Sequence, residues 1–175
     1  MQDSSDNPVP IKKLKINSED SENGPLHDEI HGDAQCGYTY HDHPADIQLH
    51  SWGPNLSSAL EQLVCSMYGY MVGMDTVEET YTYYFTATGH DEHSLIFSVL
   101  EEPLVAFQSE PFFIGKRVEV ISVKHDPFEV VFCAHGESFQ HGKHKQLTDV
   151  KAITHSNMQV IEKDSLINIF VIVDI

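Results

Sequence analysis

The chain has 175 residues, with 27 Asp and Glu against 10 Lys and Arg, for a formal charge of −17. That balance excludes a phosphate-gripping surface as the main activity, because nucleic-acid affinity is largely lysine and arginine neutralising phosphates. It suits solubility or a basic protein partner. Cys36, Cys65 and Cys133 are an odd number with no C-x-x-C spacing. They imply neither a disulfide framework nor a zinc knuckle, and reduced thiols are expected. No apolar h-region opens the chain, and its apolar runs fall far short of the ~20 residues of a membrane span. Neither a signal peptide nor a membrane segment is expected.

Residues 1–37 are rich in Asp, Glu, Ser, Asn, Pro and Gly and lack Phe, Tyr and Trp. Such a segment buries too little apolar surface to offset its ordering entropy, and it reads as a disordered acidic tail. Its basic patch, Pro10 to Lys15, reads as solvated lysines rather than a nuclear-localisation signal. Residues 38–175 read as one folded domain. Tyr38 to Trp52 predicts one or two short strands broken at Pro44, with Ile47 and Leu49 on one face. Asn55, after Gly53-Pro54, predicts a helix cap. Leu56, Ala59, Leu60, Leu63, Val64, Met67 and Met71 follow at helical spacing.

Glu79 to Thr88 alternates as a strand. Asp91 can cap a second helix with Leu95, Ile96, Val99, Leu100, Leu104 and Phe107 as its stripe. Pro103 costs ~3 kcal/mol in a helix interior, so a kink or an early end is expected there. Arg117–Lys124 and Phe128–Ala134 read as a hairpin about His125-Asp-Pro127. Gly136–Thr148 reads as an exposed loop. Val150–Ile161 and Leu166–Asp174 read as a second hairpin, turning at Glu162 to Ser165. This order indicates an α+β fold with two helices and a mainly antiparallel sheet.

P-loop, G-x-G-x-x-G, G-x-S-x-G and H-E-x-x-H signatures are all missing. Cys65 and Cys133 read as packing residues. His41 and His43, two apart, can share one face of a strand. With His50 or Asp46 they would make a zinc site, and with it a metal-dependent hydrolase. The alternative is that they are polar residues at strand ends, with His43 bonded to Asp46. His141 and His144 form a weaker pair of the same kind. A different constellation comes from Leu166–Val173, an apolar run closing on Asp174 and Ile175. The Asp174 carboxylate and a terminal carboxylate on Ile175 arrive together at the end of a buried strand, where uncompensated charge is costly. Asp46 supplies a third carboxylate. Oxygen donors of this kind suit a hard cation such as calcium, and solvated carboxylates are the competing reading.

The stretch Tyr40-His-Asp-His-Pro-Ala-Asp-Ile-Gln-Leu-His-Ser-Trp-Gly53 resembles the opening motif of the archease family, D-H-T-A-D followed by a strand and a glycine. Val150-Lys-Ala-Ile-Thr154 resembles its second signature, and Phe170-Val-Ile-Val-Asp-Ile175 its third. The resemblance implies a strand-helix-strand-strand domain that is not an enzyme. It implies an activator of an RtcB-type RNA ligase complex in tRNA splicing, promoting guanylylation and multiple turnover of the ligase. It also implies a metal site at Asp46, Asp174 and Ile175, holding Ca2+ or another divalent ion such as Mg2+, and a role for Lys151 toward the ligase or its nucleotide. A monomer with a protein partner and no direct nucleic-acid contact is expected, in the cytoplasm and also in the nucleus. A chaperone-like interaction module is the further alternative. Pro44, Pro103, Val105, Ala106, Lys145, Leu147 and His155 depart from the family's usual residues.

Overall fold

The computed structural model describes residues 29–44 and 46–175. The basic patch and most of the acidic tail, residues 1–28, lie outside the described residues. Residues 29–37, counted with the tail from composition, are tied to the fold. Here β1 (His31–Gly32) pairs with β2 (Gly37–His43), and the Trp52 indole N–H donates to the Asp33 carbonyl at 2.9 Å. Hydrogen bonds across sequence, not apolar content, hold this edge.

The larger sheet runs β1-β2-β3-β9-β7, with β3 at Asp46–Gly53, β7 at Ala152–Ile153 and β9 at Leu166–Asp174. Strand β8 (Gln159–Lys163) also pairs with β9. The smaller sheet runs β4-β6-β5, from β4 (Tyr81–Gly89), β5 (Phe113–His125) and β6 (Phe128–Ser138). Every pairing is antiparallel. The α+β expectation with two helices therefore holds.

Helix α1 (Leu56–Met71) starts where predicted, with Asn55 Oδ1 accepting from the Ser58 N–H at 2.9 Å. Gly53 is required just before it: a Cβ there would stand 2.7 Å from Ser58 Cβ and 2.8 Å from the Ala59 nitrogen. The apolar stripe of α1 is buried, but so are Ser66, Tyr68 and Tyr70. The helix packs on β3 of one sheet and β5 of the other, so it has two inward faces. Its extra buried hydroxyls have partners: Tyr40 Oη donates to the Ser66 carbonyl at 2.8 Å, and Ser66 Oγ to the Leu63 carbonyl at 2.6 Å.

Helix α2 (Glu92–Gln108) is capped by Asp91 through a reciprocal box with Ser94. It does not end at Pro103. Leu100, Pro103, Leu104 and Ala106 are all buried, and the helix packs on β4. Apolar burial of ~25 cal/mol per Å2 over several side chains outweighs one missing hydrogen bond. The Tyr68 hydroxyl donates to the Pro103 carbonyl at 3.3 Å.

Two strand boundaries move. The predicted strand at Phe128–Ala134 extends through Ser138 as β6, because β5 begins earlier, at Phe113, and pairs with it. Glu137 and His144 are buried, so 136–148 is not a wholly exposed loop. The predicted strand Val150–Ile161 is two, β7 and β8, on the same edge of β9. They are separated by a turn with Asn157 at φ +50 and by buried Met158. The second hairpin closes at Asp164-Ser165, with φ of +53 and +62, a twist that suits a two-residue connection.

Candidate functional site

Strand alternation puts Ile47, Leu49 and Ser51 against the core and leaves Asp46, Gln48 and His50 on the outer face of the larger sheet. On β9, Val171 and Val173 face inward and Asp174 outward. The β3–β9 register then sets Asp46 directly opposite Asp174. Like charges directly opposite destabilise a pair of strands. Positive groups gather there. His43 Nδ1 lies 3.5 Å from Asp46 Oδ2, on side chains 44% and 29% exposed. Lys151 donates its backbone N–H to the Asp174 carbonyl at 2.9 Å and its Nζ to the Ile175 oxygen at 2.8 Å. Asp46 and Asp174 are thus brought together from distant parts of the chain, and Ile175 follows Asp174 with an oxygen held by Lys151. The donors are hard oxygens on two or three neighbouring groups, a set that fits Ca2+ or Mg2+ rather than a soft metal.

The histidines are arranged differently from a zinc site. His41 Nε2 lies 3.2 Å from His50 Nδ1, and His50 Nε2 lies 3.0 Å from Asn168 Oδ1. The network assigns the tautomer: the Asn168 oxygen accepts, so His50 carries its proton on Nε2 and accepts from His41 at Nδ1. Burial lowers the His50 pKa, which keeps the ring neutral. With both ring nitrogens engaged, His50 has no lone pair left for a metal. His50 instead stacks on Phe170, with centroids 4.1 Å apart. His43 turns toward Asp46 at the strand end, the alternative the sequence left open. In the loop, His144 Nδ1 accepts from the Gln140 N–H at 2.9 Å and Nε2 contacts Glu137 Oε1 at 3.1 Å, so the His141–His144 pair is not a metal site either. Asn168, the partner of His50, carried no sequence signal. Only the β3–β9 pairing brings it within reach.

The profile of the Archease protein family (MTH1598/TM1083) matches residues 38–175. The chain belongs to the archease family. It is 46% identical over 138 residues to "Protein archease-like" of Caenorhabditis elegans, covering 79% of this chain and 89% of that protein. It is 42% identical over 138 residues to "Protein archease" of Ictalurus punctatus, with 79% and 85% covered. The solution structure of Methanobacterium thermoautotrophicum protein 1598 superposes with a TM-score of 0.67 at 27% identity, over 79% of this chain and 98% of that one. Two of the departures from the archease pattern have a visible structural outcome. Pro103 is absorbed inside α2, and His155 stacks on Phe97 of that helix at 4.4 Å and 9°. An aromatic ring is therefore kept where the family usually has Tyr. Among the described residues, no helix is long and apolar enough to cross a membrane.

Proposed function

We propose that this chain is a non-enzymatic, divalent-metal-binding activator of an RtcB-type RNA ligase complex in tRNA splicing. It promotes guanylylation of the ligase and so its multiple turnover. Membership of the archease family over residues 38–175 is the observation that carries this reading. Asp46, Asp174 and the Ile175 oxygens hold the ion, Ca2+ or another hard divalent cation such as Mg2+. When bound, the ion supplies positive charge between two carboxylates that otherwise repel across the β3–β9 ladder. Lys151 positions the Ile175 oxygen from the opposite side. The chain acts as a monomer on a protein partner, in the cytoplasm and nucleus. Its charge of −17 keeps it off the RNA itself.

The test is ligation by purified ligase with GTP, counted as turnovers per ligase molecule. The wild-type chain is expected to raise turnover well above one. Asp46→Asn and Asp174→Asn are expected to lose that stimulation at least tenfold, with unchanged far-UV circular dichroism and unchanged single-turnover joining by pre-guanylylated ligase. Full stimulation by both variants would remove the metal from the reading. No stimulation by the wild-type chain would remove the ligase.

A further inference from the structure

The outer face of the smaller sheet carries a second group of metal-ligand side chains, remote in sequence from Asp46 and Asp174. On β6, Val130, Phe132 and Ala134 face the core, so Cys133 and His135 point the other way. Cys133 is a packing residue from its sequence context. In the fold it is opposite Glu119 and Tyr84, whose side chains lie on the solvent face. The presence of Glu119 there depends on one extra residue in β5. Gly115 pairs with Gly136, but the next pair is Arg117 with His135, so Lys116 is bulged out. Without the bulge the register would set Val118 opposite Cys133. With it, Val118 returns to the core and Glu119 takes the outward position. Bulges are a recurrent way to re-aim a side chain next to a site.

The resulting donor atoms are close. Cys133 Sγ lies 3.7 Å from His135 Nε2, and His135 Nε2 lies 3.6 Å from Glu119 Oε2. All three ligand atoms fall within 4.8 Å of one another. A tetrahedral zinc ion with bonds of ~2.0–2.3 Å needs ligand atoms roughly 3.3–3.6 Å apart. Only small movement of the exposed Glu119 side chain closes the remaining gap. His135 is already oriented. Its Nδ1 is 2.9 Å from Thr82 Oγ1, so with the Nδ1 proton donated to that hydroxyl, Nε2 presents its lone pair to the thiol and the carboxylate. Metal-bound histidines are commonly fixed in this way through their other nitrogen. Arg117 holds the second oxygen of Glu119 and also Glu79, which steadies the carboxylate from behind.

We infer that Glu119, Cys133 and His135 form a binding site for a zinc-type transition-metal ion, with a fourth position open to solvent on the outer face of the smaller sheet. The mixed sulfur, nitrogen and oxygen set selects zinc over calcium. Binding replaces the thiol proton of Cys133 with the metal and releases that proton to solvent. Burial pushes the Cys133 thiol pKa up, with Arg117 pulling against it, so the proton is present to be displaced. The site is independent of the ligase reading.

The experiment is titration of the purified full chain with Co2+, read by the thiolate-to-cobalt charge-transfer band. One equivalent is expected to saturate the band, one equivalent of Zn2+ to abolish it, and excess Ca2+ to leave it intact. Cys133→Ser removes the band, whereas Cys65→Ser and Asp46→Asn keep it. His135→Gln, at a half-buried position that retains the thiol, weakens Co2+ binding at least tenfold, and Thr82→Val weakens it about 10–100-fold by freeing the ring. Absence of a stoichiometric band in the wild-type chain, or its persistence in Cys133→Ser, overturns the inference. So does undiminished affinity in a folded His135→Gln variant.

Discussion

Glu137 shows what a single buried carboxylate does for this molecule. It is 3% exposed. Both its oxygens accept from Lys143 Nζ at 2.8 Å, and Oε1 also accepts from the Glu78 N–H at 2.7 Å and contacts His144 Nε2 at 3.1 Å. Burial alone would raise its pKa. The Lys143 hydrogen bond, with Glu78 N–H and His144 adding to it, outweighs burial and holds it down to about 2. A depressed carboxylate contributes stability that is fully present above the unfolded value of 4.5 and is lost as the pH falls toward about 2. Lys143 is one-third exposed, so solvent screens part of the interaction and roughly 2–3 kcal/mol is expected. The difference in urea midpoint between wild type and Glu137→Gln should be nearly constant above pH 5.5 and shrink between pH 4.5 and pH 2. A difference that stays level across that acid range would show that Glu137 is not held ionised by Lys143. The same residue explains why the 139–148 segment is ordered against β6: its charge fixes Lys143 and His144 in place.

At the scale of elements, local signals and register divide the work. Caps at Asn55 and Asp91 start the helices, and the Asp164-Ser165 turn sets the β8–β9 hairpin, all from residues close in sequence. Strand β5 is different, because its two irregularities, after Gly115 and after Val120, decide which side chains reach the core. Deleting Lys116 should force the first half of β5 into the unbulged register and turn Val118 outward. Exposing a side chain that is now 6% exposed costs about 1.5–3 kcal/mol, and the displaced charges of Arg117 and Glu119 add to it. Chemical denaturation should therefore show a midpoint lowered by at least that amount. A near-native midpoint would mean that the strand re-bulges elsewhere and that Lys116 has no special place.

For the whole molecule, α1 is the shared wall. Leu60, Leu63, Val64 and Met67 are at most 1% exposed, and the helix contacts both sheets. Neither sheet can lose α1 without uncovering its own inner face, so the two should unfold together. The chain has one tryptophan, Trp52, on the larger sheet. Its fluorescence and the far-UV circular dichroism of the whole chain should give superimposable urea curves. A fluorescence transition that precedes the dichroism would show that the larger sheet unfolds on its own. The charge of −17 acts at this scale too, through solubility and self-repulsion rather than through any one contact.

Periodicity and capping chemistry were enough to place α1, α2, β4 and β9, because a 3.6-residue stripe or a two-residue alternation is written in neighbouring residues. The three archease motifs were likewise visible, and with them the family. The meeting of Asp46 with Asp174, the end of α2 beyond Pro103 and the division of Val150–Ile161 into β7 and β8 had to await the fold. So did the outward turn of Cys133 toward Glu119. Each of these depends on which strand pairs with which, and in what register. A one-residue shift there reverses the face of every side chain that follows, while leaving the composition and spacing of the chain unchanged.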